Sequence, residues 1–162
     1  MTAQIANGGY KIYPKLILDK DDEDIKEDKF EPLYKNSKNI KLVQEAMFSS
    51  TNEVRGTSYR SRIDDPKYQF AGKTGTAQVK RITKLDRELD LKTFEIPYEE
   101  RDHALYVAFG PYKNPRYAIS ILIEHGGSGS AVAAPVAKKL FKKIIDRHEI
   151  RKNFSSKRYL DI

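Results

Sequence analysis

The residues best suited to chemistry form one dense cluster over positions 71–77, with the sequence AGKTGTA. In a strand, alternate residues share one face, and Gly75 would allow a substrate backbone to lie against the strand and pair with it. Thr74 and Thr76 could then hydrogen-bond a terminal carboxylate, while Lys73 adds positive potential and a backbone N–H points at a developing oxyanion. The cluster therefore predicts one wall of an active site for a carboxylate-bearing substrate.

Two other interpretations of this cluster stay open on the residues alone. A phosphate-binding loop would use the same lysine and hydroxyl, but it needs a glycine five positions before Gly72, where the chain has Lys67. It also needs a buried strand before the loop, and the chain has IDDPKYQ there. That interpretation predicts nucleotide affinity and magnesium dependence, neither of which we expect. The second alternative is a glycine-kinked edge strand without chemistry.

The remaining candidates for chemistry are few. The chain has no cysteine, and His103, His125 and His148 lie more than twenty residues apart, which is not the spacing of zinc ligands. His125 follows a predicted strand and could act as a base, but the glycines after it favour a structural role in a turn. We expect no metal and no cofactor.

The predicted elements give an α+β fold. The apolar runs 104–109 and 117–123 flank GPYKNPR, whose glycine, asparagine and prolines are typical of a turn, so they predict a β-hairpin. Because both runs are almost continuously apolar, we expect the sheet to be covered on both faces. With a strand over 70–79, this predicts an antiparallel sheet of at least three strands and a C-terminal helix, 132–148, across one face.

That helix has an apolar stripe opposite its lysines, and Pro135 fits only its first turn. The stripe consists of Ala133, Val136, Ala137, Leu140, Phe141, Ile144 and Ile145. An earlier helix is predicted over 39–50, with Asn36 or Ser37 as N-cap and with Ile40, Val43 and Met47 on one side.

The rest of the chain is predicted to be peripheral. TAQIANGG resembles the end of a helix, followed by a glycine pair suited to a left-handed cap. Residues 10–18 form a short strand weakened by Pro14, and the acidic block 19–31 is a loop. Residues 80–103, with 13 charged side chains out of 24, form a surface excursion. It includes a small helix through Ile82, Leu85 and Leu89, and 149–162 is a basic tail.

The overall composition is that of a soluble domain. No apolar run in the 162 residues approaches the roughly 18 that a membrane span requires. The formal net charge of +7 allows an alternative function, a nucleic-acid-binding module that uses the lysine-rich helix and the tail. Acidic and basic residues, however, occupy separate blocks (19–31 and 138–158), which favours solvated surfaces. We therefore expect no nucleic-acid partner.

The sequence resembles a known family. Lys73-Thr74-Gly75 is similar to the Lys-Thr-Gly element of penicillin-binding proteins and serine β-lactamases, which also share Ser-x-x-Lys and Ser-x-Asn. AMFSSTNEVRGTSYR, KTGTAQV, RDHALYVAFGPYKNPRYAISILIEHGG and AAPVAKKLF resemble, in that order, the C-terminal half of the penicillin-binding protein 2 branch of class B transpeptidases. The resemblance covers nearly the whole chain.

The resemblance implies a partial transpeptidase fold and a serine D,D-transpeptidase that cross-links peptidoglycan stem peptides ending in D-Ala-D-Ala. It also implies that β-lactams acylate the same serine. Lys73 and Thr76 would be catalytic: Lys73 supports the Ser-x-Asn network, and the Thr76 N–H donates to the oxyanion. Thr74, Gly75 and Thr76 would bind the substrate. The implied location is the periplasmic face of the bacterial inner membrane.

One part of the family pattern is missing. No serine or threonine has a lysine three positions later, so the nucleophile is absent. Ser-x-Asn occurs at 37–39 and 50–52, but these lie too close to Lys73 to be the family element. We therefore expect residues 1–162 to be the C-terminal portion of a transpeptidase domain, inactive alone. We also expect self-association through strand 117–123, whose outer edge would pair with the missing N-terminal half.

Overall fold

The computed structural model describes residues 1–14, 31–81, 84, 88 and 91–158, with side chains described as far as residue 150. The helices are α1 (Thr2–Ala6), α2 (Ser37–Asn52) and α3 (Ala134–Arg158), and the strands are β1 (Ala71–Ala77), β2 (His103–Gly110) and β3 (Tyr117–Ile123). A π-helical turn, Gly129–Ala133, leads into α3. Short 3₁₀ turns lie at Tyr59–Ser61, Thr93–Glu95 and Tyr98–Glu100.

The three strands form one antiparallel sheet in the order β1-β2-β3. Lys73 is opposite Val107 and Gly75 is opposite Leu105 in the first pair. Tyr106 is opposite Ile121 in the second. The α+β class, the hairpin and the three-stranded antiparallel sheet are therefore confirmed.

Helix α3 packs on one face of this sheet, as predicted. The core there contains Phe70, Tyr106 and Phe141, all fully buried. Phe70 and Phe141 stack with ring centroids 4.9 Å apart, and Tyr106 meets Phe70 edge-on at 6.4 Å. Because three large rings share one contact region, this cluster holds the helix, the N-terminal end of β1 and the middle of β2 in one unit.

The opposite face of the sheet is covered in part by α1 and α2. Met47, Ala71 and Phe109 form a second buried cluster, against which Ile5 and Phe48 pack. One of the two predicted N-caps of helix α2 is confirmed, because the Asn36 side chain accepts a hydrogen bond from the Lys38 N–H at 3.0 Å. The helix begins at Ser37, two residues before its predicted start. It continues to Asn52, two residues beyond the predicted end.

Two burial predictions are wrong in part. The side chains of β3 alternate between half-buried and exposed, and Leu122 is 56% exposed, so the sheet is not covered on both faces at β3. The buried positions are Ala133, at the end of the π-helical turn, and Ala134, Ala137, Phe141 and Ile145 on α3. Val136 and Leu140 are exposed, because contact with the sheet selects a narrower stripe spaced by four residues.

The peripheral predictions have mixed outcomes. Gly8 and Gly9 adopt left-handed φ angles of 93° and 91° after α1, as predicted. In the described part of segment 10–18, residues 10–14 form no strand, and only Tyr10 makes an isolated bridge, to Pro32. The predicted end of the C-terminal helix at residue 148 is wrong, since α3 continues to Arg158. The acidic loop, except for Glu31, and the apolar residues of the small helix (Ile82, Leu85 and Leu89) lie outside the described residues.

Candidate active site

The predicted cluster lies entirely within β1. Its residues from 71 to 77 pair one by one with β2, and β2 is the only strand beside β1 in the described sheet. The phosphate-loop interpretation is therefore wrong, because Gly72-Lys73-Thr74 is extended strand and not a loop before a helix. The other edge of β1 has no strand partner among the described residues.

Lys73 and Thr74 point to opposite faces of the strand, yet their polar groups come together. The Lys73 Nζ donates to the Thr74 carbonyl oxygen at 2.8 Å and lies 3.4 Å from the Thr74 Oγ1. The Lys73 side chain is long enough to place its ammonium group beside the polar atoms of Thr74. Gly75 and Thr76 continue the strand, and the Thr76 side chain is exposed.

The side chain of Tyr106 packs against the start of β1 at Gly72. Its hydroxyl is hydrogen-bonded to Thr51 Oγ1 at 2.9 Å and to Ser58 Oγ at 3.1 Å. Burial raises the pKa of Tyr106 above its ordinary value, although the bonds from Ser58 and Thr51 oppose the shift. Gly72 lies directly over this ring, and a Cβ there would come within 2.7 Å of Tyr106 Cε1 and closer still to its Cζ and Oη.

The turn Gly129–Ala133 fixes the centre of β1. A Cβ at Gly129 would lie 2.5 Å from the Gly75 carbonyl oxygen and closer still to that of Leu105. The backbone after the glycine-rich segment therefore packs directly on the backbone of Gly75 and of its partner in β2. Gly127, with φ 76°, provides the left-handed bend that the turn needs.

A loop after α2 adds residues that the sequence did not single out. Thr57 Oγ1 lies 3.3 Å from Thr74 Oγ1 and 3.2 Å from Ser50 Oγ. In the sequence, Thr57 stands out only as part of the segment AMFSSTNEVRGTSYR, and no spacing signal connects it to Thr74, 17 positions later. The contact is visible only in three dimensions.

An open groove borders the site between α1, α2 and the sheet. Its volume is about 610 Å³, and its lining is mostly apolar, with Lys73 and Thr57 also contributing. The apolar part of the wall is formed mainly by Ile5, Val43, Ala46, Met47 and Val107. Lys73 thus lies beside a groove and is not buried in the core.

Two minor candidates from the sequence, Asn52 and His125, make contacts that hold backbone segments together. Asn52, of the second Ser-x-Asn, donates to the carbonyl oxygens of Phe48 at 3.0 Å and Phe70 at 2.9 Å, so it connects α2 to the start of β1. The His125 Nδ1 lies 3.1 Å from the Arg101 carbonyl oxygen. The His125 backbone N–H donates to His103 Nδ1 at 3.0 Å. These contacts place His125 in a turn, with φ 53°.

Two features are absent from the described residues: a metal-binding cluster and a membrane-spanning helix. No group of three or more histidines, aspartates or glutamates there is arranged to hold a metal ion. No described helix combines the length and apolarity needed to cross a bilayer.

This sheet, with a Lys-Thr-Gly strand at its edge and a helix across one face, is the arrangement of a serine transpeptidase domain. The family model "Penicillin binding protein transpeptidase domain" matches residues 1–142. The chain belongs to this family. Together with the structural relatives, the match confirms both the resemblance and the transpeptidase-like fold.

Several curated relatives are MrdA transpeptidases. Peptidoglycan D,D-transpeptidase MrdA of Salmonella typhimurium is 40% identical over 105 residues, covering 65% of this chain and 16% of that protein. The MrdA protein of Haemophilus influenzae is 36% identical over 94 residues, covering 58% of this chain and 14% of that protein. The chain thus spans about a sixth of the length of these relatives.

Solved structures agree with this relationship. Pseudomonas aeruginosa PBP2, in complex with WCK 5153, superposes with a TM-score of 0.60 at 30% identity, covering 88% of this chain and 28% of that one. Helicobacter pylori PBP2, in complex with MreC, gives a TM-score of 0.53 at 34% identity, covering 68% of this chain and 18% of that one.

Proposed function

We propose that this chain is the C-terminal portion of a peptidoglycan D,D-transpeptidase and supplies the strand that binds the donor peptide. The observation that carries the proposal is β1, an edge strand of the described sheet that contains Lys73, Thr74, Gly75 and Thr76, with Lys73 lining a groove. An extended peptide can add to such an edge through its backbone. Membership of the transpeptidase family supports the same conclusion.

The proposed roles of the four residues rest on their chemistry and on the family resemblance. The Thr74 and Thr76 hydroxyls hold the carboxylate of the D-Ala-D-Ala terminus or of a β-lactam, and Gly75 leaves room for the substrate backbone. The Lys73 ammonium, 2.8 Å from the Thr74 carbonyl oxygen, adds positive potential where the carboxylate binds. The Thr76 N–H donates to the developing oxyanion, and loss of one such donor typically costs about 3 to 4 kcal/mol of barrier.

The attacking serine comes from another part of the parent transpeptidase. Since the sequence holds no Ser-x-x-Lys, residues 1–162 alone should neither be acylated by penicillin nor turn over substrate. The parent enzyme acts at the periplasmic face of the inner membrane, where its peptidoglycan substrate lies.

Fluorescent penicillin tests the proposal. The chain is mixed with the separately expressed upstream half that carries Ser-x-x-Lys, and labelling is read after denaturing electrophoresis. Label is expected on the upstream half and only in the mixture. Label on this chain itself would contradict the proposal, and so would failure of the undivided parent protein to react.

Lysine variants of this chain provide the matched control. Lys73→Ala should abolish labelling of the mixture, whereas Lys113→Ala, which removes an exposed lysine of the β2–β3 turn, should leave it unchanged. Equal labelling with both variants would show that the charge at position 73 is not part of the site.

A further inference from the structure

We propose that Thr57 is a positioning residue for the carboxylate-binding hydroxyl of Thr74. This inference rests on the proposed function and assigns a role to a loop outside the family motifs. Its basis is a chain of three hydroxyls, in which Thr57 Oγ1 lies 3.2 Å from Ser50 Oγ and 3.3 Å from Thr74 Oγ1. These contacts connect α2, the loop after it and β1.

The hydrogen-bonding capacity of Thr74 determines which hydroxyl donates and which accepts in this row of three. A hydroxyl has one donor and two acceptor lone pairs. The Lys73 Nζ, 3.4 Å away, can only donate to Thr74 Oγ1. If Thr57 also donates, both lone pairs are occupied, and the single hydrogen of Thr74 is left for a ligand.

The same reasoning applies to the contact between Thr57 and Ser50. Once Thr57 donates to Thr74, it can only accept from Ser50, so Ser50 donates to Thr57. All three hydroxyls then point toward the ligand, and hydrogen bonds in series strengthen one another. A bound carboxylate, which only accepts, selects this orientation.

The loop that carries Thr57 is held firmly on α2. The Ser58 N–H and Oγ both donate to the Ser50 carbonyl oxygen, each at 3.0 Å. A Cβ at Gly56 would lie 2.5 Å from the Ser49 carbonyl oxygen and closer still to that of Ser50, so the loop can approach α2 this closely only with glycine there. Thr57 lies between these two anchored residues, which fixes its hydroxyl relative to β1.

The test measures acylation rates of the undivided parent transpeptidase with two β-lactams, benzylpenicillin and its methyl ester. Thr57→Val removes the hydroxyl at nearly constant shape, and Thr57→Ser retains it. For benzylpenicillin, Thr57→Val should lower the second-order rate constant about three- to tenfold, which is the effect of one uncharged hydrogen bond. The ester has no carboxylate, so its rate constant should change less than about twofold. Thr57→Ser should react like the wild type.

A double-mutant cycle separates positioning from a purely structural role. When Thr74→Val has removed the acceptor, adding Thr57→Val should cause no further loss with benzylpenicillin. Additive losses, or equal losses for the acid and the ester, would overturn the inference while leaving the proposed function intact. A wild-type enzyme that reacts with neither β-lactam would overturn both.

Discussion

Replacing Gly72 with alanine should strongly destabilise the chain, because the new methyl group would occupy the position of the Tyr106 ring. The Cβ would come within 2.7 Å of Tyr106 Cε1 and closer to two further atoms of that side chain. Tyr106 is fully buried, so its ring has no solvent to move into. Relief of the clash must displace the ring and break its hydrogen bonds to Thr51 and Ser58.

The magnitude follows from these two effects. Overpacking of a buried site costs about 1 to 3 kcal/mol, and two neutral hydrogen bonds contribute about 0.5 to 1.5 kcal/mol each. Gly72→Ala should therefore lower the free energy of unfolding by about 2 to 6 kcal/mol. Gly75→Ala is the matched control in the same strand, since its Cβ would meet only Leu105 Cβ, at 3.3 Å. It should remain within about 1 kcal/mol of the wild type.

Urea denaturation followed by far-UV circular dichroism measures both values. Tyr106→Phe adds a second check, because it removes the hydroxyl whose bonds the clash would break. The double variant Gly72→Ala with Tyr106→Phe should cost less than the sum of the single variants. The reasoning fails if Gly72→Ala matches Gly75→Ala, or if the single effects add.

Three further predictions concern pH, the start of α2 and the open edge of the sheet. Burial raises the pKa of Tyr106 above 10.0. The contribution of Tyr106 to stability is therefore complete below pH 10 and is lost as the pH rises from there through the folded pKa. Urea titrations across this range should show that the free energy of unfolding falls more steeply for the wild type than for Tyr106→Phe. Asn36→Ala should lower the unfolding free energy by about 1 kcal/mol, whereas Asn36→Asp should not, because aspartate still accepts from the Lys38 N–H. The chain should self-associate at micromolar concentration in sedimentation velocity, and Leu122→Lys on β3 should shift it toward monomer. Val54→Lys, at a 78% exposed position, is the control, and a wild-type monomer would contradict this last prediction.

The sequence alone was sufficient for the elements that depend on local patterns. The hairpin followed from two apolar runs around a turn-forming segment. The sequence limited the N-cap of α2 to Asn36 or Ser37, and the structure has it at Asn36. The strand predicted over 70–79 is observed at 71–77, and its residue types suit an edge that a substrate backbone approaches. The family resemblance came from this strand together with three other segments, in order along the chain.

Only the tertiary structure decided which side chains meet across long sequence separations. Val136 and Leu140 fit the apolar stripe of α3, yet contact with the sheet leaves them exposed. The contacts of Thr57 with Thr74 and of Tyr106 with Thr51 and Gly72 bring together loop, strand and helix at separations of 17 to 55 positions. Local spacing carries no information about such contacts, because they depend on how the elements pack and not on the period of any one of them.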